Sequence, residues 1–293
     1  MSARLGLLCV HPHPDDESIA CGGILARYAE EGVRTAVVTC TGGEAGENLA
    51  GLDLGGEDLA THRRRELADA LGVLGVRDHV WLGYRDSGMA GMPTNDHPDA
   101  FHRADLDAAA ARLAEVVRRL RPQVVVSDAA DGTYGHPDHV KAHAVTVRAV
   151  ALAADPAAPV DGGPWQAAKR YVHTYGTARV RAAHRALLTQ GLPSPFGGDE
   201  AAGQAEPAFG VPDDLVTTEV DVTPWLERKR AALAAHASQI GADSFFLNLP
   251  EEAARSFFGV EQFVLEAGGP PALRPETDLF TGLRHEGMEV VRG

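Results

Sequence analysis

RLGLLCVHPHPDDESIACGGILARYAEEGVRTAVVTC, residues 4–40, is the stretch on which the fold turns. Residues 4–10 are a short apolar run ending at His11, which reads as a buried strand. Asp15, Asp16 and Glu17 then supply the acidic first turn of a helix. Ile24, Leu25 and Tyr28 give that helix an apolar stripe, and Gly32 ends it. Residues 33–40 form a second apolar, β-branched run suited to a strand. Strand, helix and strand joined by short links make a βαβ unit, which demands a parallel pair and a right-handed crossover.

Beyond this unit the alternation continues. A Gly- and acid-rich loop is expected over 41–60, a helix over 61–75, a strand over 80–84 and a second long loop over 86–100. A helix over 105–122 is stopped by Pro122, a buried strand follows over 123–128, and 131–154 runs from a loop into a helix. This order predicts an α/β fold with a Rossmann-like, doubly wound, mostly parallel sheet. The rest is less regular: a strand near 168–176, a helix over 181–190, a Gly/Pro/Asp-rich segment over 192–214, a strand over 215–222 and a helix over 224–240. Residues 1–155 are therefore expected to carry the chemistry. Residues 156–293 are expected to form a smaller α+β portion that packs on them and completes the pocket within one domain.

The chain has 293 residues, 44% of them hydrophobic, with 27 Lys and Arg against 41 Asp and Glu, a formal net charge of −14. A surface this acidic is poorly suited to nucleic acid or an anionic membrane, both of which require a cationic face. No run of 18 apolar residues predicts a transmembrane helix, and residues 1–17 lack a secretory pattern. Three cysteines make no disulfide framework, so a cytoplasmic protein with reduced thiols is expected. The sequence is compatible with a homo-oligomer.

The chemistry concentrates at two strand ends. HPHPDDE, residues 11–17, follows the first strand, and GHPDH, residues 135–139, follows the strand over 123–128. Both leave the sheet at its carboxyl edge, where open α/β folds bind ligands. His13, Asp16 and one histidine of the second cluster make a two-His, one-carboxylate shell for a divalent metal, with a position left open for water. A spare carboxylate beside it can serve as general base. Each cluster alone could be a helix start, with Pro at the first helical position and Asp nearby. Two of them at one sheet edge favour the metal.

HPHPDDE with GHPDHV about 120 residues later resembles the PIG-L/LmbE family of zinc-dependent N-deacetylases. TGGEAGE, the RRREL helix, YRDSGMAG and KRAALAAHASQI resemble the mycothiol-pathway branch of that family. This resemblance implies that His13, Asp16 and His139 hold zinc, with Fe2+ or another divalent metal as an alternative. It implies that Asp15 is the general base. His136 would stabilise the oxyanion as an imidazolium, with Asp138 orienting it, and Tyr134 would lie near the oxyanion and the leaving amine. Arg63 and Asp86 match positions that hold the sugar-inositol substrate. The implied substrate is a small amino sugar, N-acetylglucosaminyl-inositol, cut at its acetamide. The alternatives are amide cleavage of a mycothiol S-conjugate and deacetylation of another glycoside or antibiotic intermediate. The amidase branch carries a lysine just after HPDDES, where this chain has Ile19, Ala20 and Cys21. A reading from a different class is a non-catalytic sugar- or nucleotide-binding module. Its one support is the Gly-rich TGGEAGE, and it lacks GxGxxG after the first strand.

Other residues carry less. Glu44 and Glu47 could bind polyol hydroxyls or belong to a solvated loop. Met89 lines the pocket or simply packs. His11 and His143 read as supporting or structural, His236 as either a residue reaching the site from the C-terminal half or a structural helical histidine, and Cys21 as a buried inert thiol.

Overall fold

A computed structural model describes residues 5–191, 194, 210–271 and 273–284. The opening βαβ unit is β1 (Gly6–His11), α1 (Asp16–Glu30) and β2 (Arg34–Thr41). Then come α2 (Leu59–Leu74), β3 (Asp78–Tyr84), α3 (Leu106–Leu120), β4 (Val124–Ser127), α4 (Gly132–Gly135) and α5 (Pro137–Ala154). The remainder supplies β5 (Lys169–Thr174), α6 (Thr177–Thr189), β6 (Thr218–Asp221), α7 (Leu226–Ala235), α8 (Phe245–Asn248), α9 (Glu251–Phe258) and β7 (Val260–Ala267).

One sheet holds all seven strands in the order β3-β2-β1-β4-β5-β7-β6. The first five are parallel, with Leu7 beside Thr35 on one side and Val124 on the other. β7 enters antiparallel between β5 and β6. Strand alternation divides the core in two. Leu7, Cys9, Val37, Val124 and Val126 pack under α1, α2 and α7 with Ile24, Tyr28, Leu67 and Phe263. Leu8, Val10, Val38 and Val125 pack under α3 and α5 with Phe101, Leu113, Val117 and Val145. Burial on both faces is why β1, β2 and β4 read as continuous apolar runs.

The helix ends follow local chemistry. Asp58 accepts from the Thr61 N–H at 2.9 Å to open α2, and Asp105 does the same for Ala108 at 2.8 Å to open α3. Gly75 ends α2 in the left-handed conformation.

Three expectations are corrected. The helix expected over 224–240 is only Leu226–Ala235, because residues 223–225 form a 3₁₀ turn and His236 leaves helical geometry at ψ 50. Residues 236–240 instead cross α2, where Ser238 gives its N–H and hydroxyl to Glu66 at 2.7 and 2.6 Å. The strand expected over 215–222 is confined to 218–221. β7 and α9 had no counterpart in the sequence reading. In β7 the inward positions include Glu261 and Gln262, both buried, so apolar alternation is lost. Glu261 is tolerated there because Lys229 meets it at 2.6 Å and the N–H groups of Gly23 and Ile24 each donate to it at 2.8 Å. Most of the 192–214 segment lies outside the described residues. Of its end, Val211 bridges Gly176 and residues 213–215 form a 3₁₀ turn.

Candidate metal and catalytic site

Neighbours extend from β1 in opposite directions, β2 to one side and β4 to the other. The carboxyl ends of β1 and β4 therefore flank the point where the winding reverses, and chain leaving both strands opens into one crevice. Residues 12–17 arrive from β1 and residues 128–139 from β4. A cavity of about 570 Å³ lies over this edge.

His13, Asp16 and His139 converge there. Asp16 places one carboxylate oxygen 3.3 Å from His13 Nδ1 and the other 3.5 Å from His139 Nε2. The far nitrogen of each ring is committed elsewhere. His139 Nδ1 lies 3.0 Å from Asp128, and His13 Nε2 lies 3.4 Å from both Asp86 and Asp138. A buried carboxylate on one ring nitrogen fixes the tautomer and turns the other nitrogen's lone pair outward, the usual setting of a metal-binding histidine. Two such lone pairs and a carboxylate directed at one point are the donor set of a divalent cation, so these residues fit the expected metal. His136 stands beside them, its donor nitrogen within 4.8 Å of those of His13 and His139.

The charges follow from this packing. Burial opposes ionisation of Asp16, but His139 and His13 override it and hold its carboxyl down at about 2. Asp86 and Asp128 are likewise buried and still held well below the usual carboxylate range. For Asp86 this is done by His13 and the N–H groups of Gly88 and Ala45, and for Asp128 by His139 and His11. Burial also opposes protonation of His13 and His139, yet the surrounding carboxylates raise both.

Asp15 differs from its neighbour. Burial pushes its carboxyl up to about 6, only partly countered by Arg63, whose guanidinium lies 3.2 Å away. Its backbone has φ 120 and ψ −32, a region that costs a non-glycine residue about 1–3 kcal/mol. It occupies the position before α1 yet makes no side-chain cap to that helix.

His136 caps α5 instead, its Nδ1 accepting the Asp138 N–H at 3.1 Å. Nε2 therefore carries the ring's proton. Burial first, then the neighbouring His13 and His139, lower His136 to about 4. The ring is therefore a neutral imidazole near neutral pH, not the imidazolium expected. The orienting contact from Asp138 is its backbone N–H. Its carboxylate is taken by the Ser87 N–H at 2.9 Å, the Ser87 hydroxyl and His13. The half-exposed Tyr134 reaches His139 Nε2 with its hydroxyl at 3.0 Å.

The residues expected to hold substrate are placed unevenly. Glu47 and Met89 line the cavity and are exposed. Arg63 lines it too, but is buried and spends its guanidinium on Gly43 O at 2.7 Å, Pro14 O at 2.6 Å and Asp15. Gly43 must be glycine for this: its φ is +67, and a Cβ there would lie 2.2 Å from Arg63 Nη1. Asp86 is similarly engaged, by Ala45 at 3.1 Å and Gly88 at 2.8 Å. Arg63 and Asp86 thus shape the cavity by holding its loops.

Sequence reasoning passed over Asp128, although a carboxylate closing the VVVSD run at the same edge was a usable signal. It also passed over the aromatic lining of the same cavity, Tyr175, Phe245, Phe246 and Phe257. Those four lie in the second half, and nothing local to them marks a site. His143 donates from Nδ1 to the Asp128 carbonyl oxygen, 3.0 Å away, and stays outside the cluster.

Comparison with known proteins agrees with the chemistry. Residues 8–150 match the family described as PIG-L, GlcNAc-PI de-N-acetylase. The chain is 46% identical over 288 residues to the 1D-myo-inositol 2-acetamido-2-deoxy-alpha-D-glucopyranoside deacetylase of Thermobifida fusca, covering 94% of this chain and 98% of that one. It is also 46% identical to the protein of the same name in Streptomyces avermitilis, over 94% of this chain and 97% of that one. The fold is similar to that of N,N'-diacetylchitobiose deacetylase from Pyrococcus horikoshii. The TM-score is 0.57 at 21% identity, over 90% of this chain and 84% of the other.

Proposed function

The chain belongs to the PIG-L family of de-N-acetylases, and from that premise we propose that it hydrolyses the acetamide of 1D-myo-inositol 2-acetamido-2-deoxy-α-D-glucopyranoside, releasing acetate and the free amine. The observation that carries this reading is the joint placement of His13, Asp16 and His139 around one point, with Asp15 beside them, in a cavity of about 570 Å³. His13, Asp16 and His139 would hold a zinc ion, with Fe2+ as the alternative, and when bound it would supply Lewis acidity to polarise an amide carbonyl and acidify water near neutral pH.

The protein's own groups do the rest. Asp15 takes the proton from the attacking water, and its raised affinity for protons suits it to carry that proton on to the leaving amine. His136 offers its Nε2–H to the oxygen on which negative charge develops, a donor already oriented by the Asp138 N–H. The half-exposed Tyr134, whose hydroxyl rests 3.0 Å from His139 Nε2, turns from there toward the same oxygen or the leaving nitrogen. Glu47, Met89, Arg63 and Asp86, which all line the cavity, contact the sugar-inositol, and Arg63 and Asp86 also keep the loops around it in place. The test is amine release from that acetamide, with N-acetylglucosamine and a mycothiol S-conjugate in parallel, before and after chelation. Metal-dependent turnover fastest on the inositol glycoside supports the proposal. Turnover of the conjugate alone overturns the substrate, and turnover unaffected by complete metal removal overturns the chemistry.

A further inference from the structure

The peptide unit between Pro14 and Asp15 is held at both polar ends. Its carbonyl oxygen accepts from Arg63 Nη2 at 2.6 Å, and its N–H donates to Glu17 Oε2 at 3.0 Å. The second oxygen of Glu17 accepts from His236 Nε2 at 2.9 Å and from the Ser18 hydroxyl. Glu17 and His236 are both completely buried. An acidic residue in the first turn of a helix ordinarily faces solvent and answers the helix dipole. Here it is turned inward, onto the backbone of the residue before the helix.

That residue is the one with the unusual geometry. Asp15 has φ 120, and its carboxylate is left uncommitted to the helix N-terminus. Relaxing the backbone would swing the carboxylate away from its place beside His13 and Asp16. The partner that fixes Glu17 comes from 219 positions away in the chain. His236 stands where α7 stops, and the segment after it is tied to α2 by the two Ser238 bonds to Glu66.

We propose that Glu17 and His236 are a positioning pair that holds Asp15 in its left-handed backbone conformation, so that the C-terminal portion sets the base beside three metal-binding residues, His13, Asp16 and His139, that all come from the first 140 residues. This rests on the assignment of Asp15 as proton acceptor. The pair touches neither substrate nor metal; it acts through the Asp15 N–H.

The test uses the metal-loaded enzyme and compares His236→Ala, His236→Gln, Glu17→Asp and Asp15→Asn for kcat, KM, bound metal and urea midpoint. Gln can present a donor nitrogen near the place of His236 Nε2, while Glu17→Asp keeps the charge but withdraws it from the Asp15 N–H. The expected result is a fall in kcat of about tenfold or more for His236→Ala and Glu17→Asp, because a small misplacement of a reacting group is costly. KM and metal content stay unchanged, and His236→Gln recovers most of the rate. The proposal is overturned if Glu17→Asp, or a folded His236→Ala, keeps kcat within about twofold while Asp15→Asn is inactive. It is equally overturned if His236→Gln is as impaired as His236→Ala, or if KM rises and metal content falls along with kcat. An active Asp15→Asn overturns the base assignment itself, and the pair's role with it.

Discussion

At Asp128 one carboxylate faces two histidines, His139 at 3.0 Å and His11 at 3.7 Å. The first contact determines which nitrogen of His139 is free for a metal. Replacing Asp128 with Asn keeps the shape but removes the charge that favours this tautomer. Asp128→Asn is therefore expected to weaken zinc binding by about 10–100-fold, measured by competition with a chelator, with little change in the fold. At Asp15 the consequence falls on rate. Asp15→Asn should retain the metal and lower kcat by about 10²–10⁴-fold, the usual worth of a positioned acid–base group. Undiminished metal-dependent turnover in that variant would exclude Asp15 as the base. At this scale HPHPDDE and GHPDH were legible because His, Asp and Pro crowd together at strand ends. The partners that orient them were not, since Asp86, Asp128 and Ser87 stand singly in the sequence.

Among the elements, α1 carries the tightest constraints. It delivers Asp16 at its first turn and presses Gly22 and Gly23 against the C-terminal portion. A Cβ on Gly23 would lie 2.5 Å from Val222 and 2.9 Å from Glu261 Oε1. Gly23→Ala should therefore destabilise the protein by about 1–3 kcal/mol through overpacking, read as a lower urea midpoint at unchanged slope. No loss of midpoint would mean that α1 is free to shift. The first five strands and their helices were readable from apolar runs, acidic first turns and glycine ends. β7 was not, because Lys229 makes a buried Glu261 acceptable and so breaks the alternation by which strands are recognised.

For the molecule as a whole, the sheet ties the two portions together. β4 pairs with β5, and α7 packs on α1 and α2. Residues 1–155 alone would expose the β4 edge and the apolar face of α1, so this fragment is expected to aggregate or remain unfolded; a cooperative melt from it would contradict that. The whole fold also responds to pH. Burial, helped by Lys229, lowers His173 to about 3, and burial lowers His79 to about 4, both from 6.5. Their stabilisation is complete above 6.5. It is lost as pH falls from there toward the folded values, because only the unfolded chain takes up the proton. Histidines raised by folding, such as His11, are protonated in both states below 6.5 and add no slope there. Urea midpoints should thus fall between pH 6.5 and 5, less steeply in His173→Gln; an unchanged slope in that variant would count against a buried neutral His173.

By itself the sequence determined the βαβ order, the mostly parallel sheet and the arrival of two His/Asp clusters at one edge. Those depend on periodicity and punctuation within short stretches of chain. Only the tertiary structure decided that Asp128 serves His139, that Arg63 and Asp86 hold loops, that Glu17 meets His236 and that aromatic residues from the second half line the same cavity as the histidines. Glu17 and His236 are 219 positions apart. Their contact is set by strand order and helix packing, which bring distant segments together, and no local pattern in either segment encodes the other.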